Sequence, residues 1–171
     1  RRIVLVADGE TPPRDHLPTA PEITPALPSV TQYPPNDTPF PLTIAQPFTG
    51  MEMVRRFGYD PQGWKFNGTE ITVPQTKQFM LVSVGSQPNW NALQTALQKE
   101  DVIPQGQWCD AFKAAYPEPD GKGPVGVAKS SWVDSNGHAD FPSVDSDGAT
   151  RFHWAGLGFD DGWRWLVEAQ A

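Results

Sequence analysis

Three stretches of the chain carry apolar residues at helical spacing. Met51, Val54 and Phe57 form one short stripe behind Thr49, with Gly58 placed to stop it. Trp90, Leu93 and Leu97 form a second, over 88–100, with Ser86 as a candidate N-cap and Gln and Lys turned outward. Pro104 and Gly106 break that pattern, and Trp108, Ala111, Phe112 and Ala115 resume it until Pro117. The last two stripes predict a helical hairpin over about 88–116, packed on one face of a sheet.

Strand-like patterns occupy most of the remainder. Gln78-Phe-Met-Leu-Val-Ser-Val is the most apolar run and reads as a buried strand. Asn67-Gly68 lies between two strand-prone runs, the usual mark of a two-residue hairpin turn. After residue 120 short runs at 125–128, 131–133, 139–141, 150–154 and 163–167 alternate with Gly and Asp turns, which predicts antiparallel hairpins. The fold class expected is α+β: an antiparallel sheet, hairpins dominant after residue 120, with the helical hairpin beside it.

The first 48 residues follow neither period. Ile3–Ala7 is β-prone and closes at Asp8-Gly9, and then eleven of the nineteen prolines fall before residue 48. Proline fixes φ, removes an amide donor and holds the preceding residue extended, so this stretch is neither helix nor central strand. Residues 1–48 are therefore expected to form an extended Pro-rich arm, and 49–171 a Trp-rich α+β domain containing all seven tryptophans. Tyr33, Phe40 and Phe48 are the large apolar residues expected to anchor the arm on a surface.

The net charge of −7 is spread over both parts, and Lys and Arg are not clustered with aromatics. Such a surface repels phosphate, so neither nucleic acid nor an anionic membrane is the expected partner. The apolar run near the start is shorter than a signal-peptide core or a membrane span, which leaves virion, extracellular and cytoplasmic locations open. The single cysteine, Cys109, excludes an intrachain disulfide and reads as a buried structural thiol.

Two features carry candidate chemistry. Val133-Asp-Ser-Asn-Gly recurs eleven residues later as Val144-Asp-Ser-Asp-Gly. Asp134, Asp145 and Asp147 supply hard oxygen ligands for a divalent cation such as Ca²⁺, but the twelve-residue calcium loop fails in register, with Trp154 where a bidentate Glu is required. The competing reading, two tight turns capped by Asp and completed by Gly, is preferred. Trp163 and Trp165 share one face of a strand, with Trp154 and Trp132 in neighbouring strands. A row of indoles of this kind stacks against sugar rings or proline-rich segments when it is exposed.

The expectation from sequence is a non-enzymatic structural or assembly protein. Its Pro-rich arm would pack on its own body, on a neighbouring copy in a homo-oligomer, or on another assembly protein, as in a virion or surface array, with no cofactor required. A carbohydrate- or Pro-rich-peptide-binding module is the alternative, and a divalent-metal-dependent enzyme the second. His153 lies within reach of an acid/base pairing with Asp145 or Asp147, but no Ser-His-Asp order, HExxH or phosphate loop is present.

Overall fold

In the computed structural model the chain is described over residues 32–98 and 102–170. The Ile3–Ala7 segment and the arm's first 31 residues lie outside the described part. Among the described residues eight strands and three helices follow in the order β1 (Phe40–Ile44), α1 (Gly50–Arg56), β2 (Lys65–Phe66), β3 (Gln75–Val82), α2 (Trp90–Gln98), α3 (Trp108–Ala115), β4 (Val125–Gly126), β5 (Trp132–Val133), β6 (Ala139–Val144), β7 (Thr150–Trp154) and β8 (Arg164–Glu168).

The strands form one sheet ordered β1-β3-β8-β4-β6-β5-β2, with β7 added beside β6. The fold is α+β, and the sheet is mixed rather than purely antiparallel: β4 runs parallel to β8, Val125 against Arg164, while every other pair of named strands is antiparallel. Strand β6 pairs with three others, β4, β5 and β7. One edge of it lies along the whole of β7, from Asp140 against Trp154 to Val144 against Thr150. The other edge is shared, β5 pairing at Asp140 and β4 at Val144.

Because β6 and β8 sit inside this sheet with helices on both sides, they are buried on alternate residues facing both ways. On one face Leu42, Phe79, Leu81, Val125, Val144 and Leu166 meet Met53 of α1 and Phe112 of α3. On the other, Val82, Phe141, Trp165 and Val167 meet Leu93 and Leu97 of α2. The expected helical hairpin on one face is thus corrected: α2 and α3 cover opposite faces. The connection between them passes the end of β8, where Val102 accepts a hydrogen bond from the Glu168 amide, so each apolar stripe reaches a different core.

Two more expectations change for reasons of long-range pairing. The Asn67-Gly68 hairpin does not form. Lys65 and Phe66 pair instead with Val133 and Trp132, and the Asn67 amide donates to the Ser131 carbonyl at 2.7 Å. Residues 40–44, assigned to the arm on sequence grounds, form β1. Proline is tolerated there because β1 is an edge of the sheet and Pro41 owes its outer side no hydrogen bond. The compact unit accordingly spans Thr31–Ala171, taking in the last part of the Pro-rich stretch. No helix among the described residues is long and apolar enough to cross a membrane.

Candidate functional site

The two repeated pentapeptides both close β-hairpins. In the first, between β5 and β6, the Gly137 amide donates to the Asp134 carbonyl and Gly137 takes φ 84°. In the second, between β6 and β7, the Gly148 amide donates to the Asp145 carbonyl and Gly148 takes φ 83°. A positive φ is the conformation that glycine adopts without steric cost, which is why both copies end on it.

Their carboxylates diverge. Asp134 Oδ1 caps its own turn, accepting from the amides of Asn136 and His138, each at 2.9 Å. In the second turn Asp147 takes over the capping, accepting from the Ala149 amide at 3.0 Å. This releases Asp145 to face the sheet. Its Oδ1 accepts from the Ser143 hydroxyl at 2.7 Å and lies 2.9 Å from His153 Nε2, and its Oδ2 accepts from Arg151 Nη1. Arg151 also reaches Asp147, Nη2 to Oδ2 at 3.1 Å.

Burial raises the Asp145 carboxyl, but hydrogen bonds from His153, Ser143 and Arg151 outweigh it and hold the group well below the usual carboxylate range. Asp140, on β6, goes the other way. Its side chain is buried, Oδ1 has no hydrogen-bond partner, and burial, followed by a hydrogen bond with Asp134 and that group's charge, pushes it up to about 7. Burial also opposes ionisation of Asp134, yet the His138 amide, Asp140 and the Asn136 amide together lower it.

Alongside the second turn, Asp145, Asp147, Arg151 and His153 border a depression of about 360 Å³ whose apolar wall is Trp163 and Pro124. Trp163 is held rigidly. It stacks on Trp165 with centroids 5.1 Å apart and planes 15° apart, and Phe141, Phe159 and His153 meet it edge-on at 5.4–5.7 Å. Strand alternation puts these groups together, since Phe141, Ser143, Arg151 and His153 share one face of the β6/β7 pair.

The four tryptophans proposed as an aromatic face do not form one. Trp132 and Trp165 are 0% and 1% exposed, so they belong to the core, Trp132 donating its Nε1–H to the Gly50 carbonyl at 2.9 Å. Trp154 is 44% exposed and stacks on His138 at 4.9 Å, on the opposite face from His153. Trp163 alone joins polar groups at a depression. The reason is that both faces of the sheet are covered by helices, a condition that a strand's own pattern does not reveal.

The candidate metal ligands are likewise separated. Asp134 serves the first turn, Asp145 and Asp147 share Arg151 at the second, and among the described residues no three His, Cys, Asp or Glu groups converge on a point. The anchors Tyr33, Phe40 and Phe48 are all buried: Tyr33 packs on Phe112 at 4.9 Å and beneath Arg164, Phe40 lies in β1, and Arg56 covers the Phe48 ring at 4.1 Å. Cys109 is buried on α3, where burial and the charges of Asp110 and Asp145 push its thiol well up.

Ser143 and Arg151, both part of the cluster around Asp145, were not singled out in the sequence. Their signal was present: with Asp145 and His153 they keep one parity across a hairpin whose turn the repeat identifies. Comparison with known protein families, with curated proteins and with solved structures finds no match for this chain.

Proposed function

We propose that this protein acts by recognition rather than catalysis, holding a partner in the depression beside Trp163. The observation that carries the reading is the combination of a fixed indole wall with four ionisable side chains that are already locked to one another. Asp145 is tied by three donors and Trp163 is stacked on a buried neighbour, so ordering this surface costs little on binding. His153 is paired with Asp145, and the role of that pair is to orient the site, because Ser143 donates to the carboxylate instead of to the imidazole.

The test is a titration of ¹⁵N-labelled full-length protein with panels of glycans and peptides, following the Trp163 indole N–H. Saturable movement of that signal supports the reading. A signal that none of the panel moves would remove it.

Assembly through the N-terminal segment is retained as a second reading, favoured by the way residues 33–37 are tied down. Tyr33 is buried, Asn36 Nδ2 donates to Ser83 Oγ at 3.0 Å, and the Asp37 amide donates to the Leu81 carbonyl at 2.9 Å. These bonds fix residues 33–37 on the body, giving the segment before them a firm attachment through which it would act in assembly. Light scattering on full-length and arm-deleted protein tests it: oligomers that depend on the arm support assembly, and monomers in both exclude it.

A further inference from the structure

We propose that the ligand of the Trp163 depression is an uncharged saccharide, one ring of which stacks on the indole while its hydroxyls bond to Asp147, Arg151 and His153. This rests on the recognition reading above and narrows it to one chemical class.

Charge comes first. Two carboxylates, Asp145 and Asp147, stand against one guanidinium at the rim, and the whole chain carries −7. A phosphate or carboxylate ligand would meet net repulsion there. Hydrogen-bonding character comes next. The Asp147 side chain is 60% exposed, that of Arg151 43% and that of His153 32%. Acceptors and donors thus alternate within one small patch, which is what adjacent hydroxyls, each both donor and acceptor, require.

The apolar part separates a sugar from a proline-rich peptide. An extended peptide uses a groove lined by successive aromatic side chains, one for each turn of the polyproline helix. Here one indole is available. Trp165 stands behind Trp163 at 1% exposure, and the exposed Trp154 is on the other face of the hairpin. A single flat wall bordered by polar groups suits the C–H face of one pyranose ring. The volume, about 360 Å³, is near the lower limit of ligand pockets, which run from roughly 300 to 1,000 Å³. An open site with one stacking contact is expected to bind in the millimolar range.

The experiment titrates the labelled full chain with neutral oligosaccharides of glucose, galactose, mannose and N-acetylglucosamine. Polygalacturonate and a peptide of residues 10–31 form separate arms. The expected result is saturable movement of the Trp163 indole signal, and with it the Asp147, Arg151 and His153 backbone amides, by at least one neutral saccharide, the movement of those amides being lost in Trp163→Ala. Since Trp163 contributes to packing, Asp147→Asn serves as the second variant: its side chain is exposed, and it should weaken the same saccharide several-fold while leaving the thermal midpoint close to wild type. Movement of Trp163 only by the peptide or the charged polymer overturns the saccharide assignment and leaves the recognition function standing. No movement in any arm overturns both.

Discussion

The turns at Asp134 and Asp145 begin from the same five-residue pattern and end with different electrostatics. In the first, the leading Asp is consumed by its own turn, and its neighbour Asp140 is left buried with an unpartnered oxygen and a raised pKa. In the second, the change from Asn136 to Asp147 supplies another carboxylate in the same turn, and the leading Asp is free to organise Ser143, Arg151 and His153. A turn's conformation and the chemistry of its carboxylates are therefore separable. One added acceptor is enough to convert a cap into the centre of a polar cluster.

The largest effect that separates the two turns is expected from Asp145→Ala. It leaves the fully buried Ser143 hydroxyl, His153 and Arg151 without their common acceptor, at a cost of about 3 kcal/mol by urea unfolding. A loss equal to that of Asp134→Ala would erase the distinction between the turns. The second effect is on pH dependence, and the two sites carry opposite signs. Asp140 is raised to about 7 from 3.8, so the folded state retains a proton that the unfolded chain releases, and stability declines as pH rises between about 4 and about 7. Asp145 is depressed, so its contribution is complete above the ordinary carboxylate range and is lost as pH falls through its lowered pKa. Thermal midpoints from pH 4 to 8 should fall less steeply in Asp140→Asn than in wild type. Parallel curves would show that Asp140 is already ionised in the folded protein.

Third in size is Asp134→Ala, which removes two capping bonds and also relieves Asp140 of a neighbouring charge. The expected net loss is about 1 kcal/mol at pH 7, with the Asp140 midpoint moving down when its carboxyl carbon is followed by NMR. An unmoved midpoint would mean that burial alone raises Asp140.

What could be read from the sequence follows the range of the interactions involved. Local features were legible: the short helix after Thr49 ending before Gly58, the apolar stripes of α2 and α3, and the two turns that open on Asp and end on Gly all depend on residues within a few positions of one another. Features set by distant partners were not. Phe66 pairs with Trp132 across the sheet instead of folding back at Gly68, and α2 and α3 separate because β8 presents Trp165 and Leu166 to opposite faces. The same limit governed the site. Of four tryptophans with similar strand patterns, burial by helices on both faces removed two and left Trp163 beside the charged cluster.

The smallest prediction compares the two turn glycines, whose φ angles are nearly equal at 84° and 83°. Alanine at either position takes a left-handed conformation, a cost of roughly 1 kcal/mol that should be common to both. The surroundings differ. A Cβ at Gly137 meets open space, whereas at Gly148 it falls 3.1 Å from Pro119 Cδ and 3.2 Å from Cγ, so the 117–123 loop must give way. Gly148→Ala is therefore expected to be the more destabilising by about 0.5–1 kcal/mol in urea unfolding. Equal losses would mean that the loop yields freely, and that the second turn is no more tightly supported than the first. Since the loop leads directly into Pro124, which borders the depression, a larger loss at Gly148 would tie the rigidity of the Asp145 cluster to packing behind its turn as well as to its hydrogen bonds.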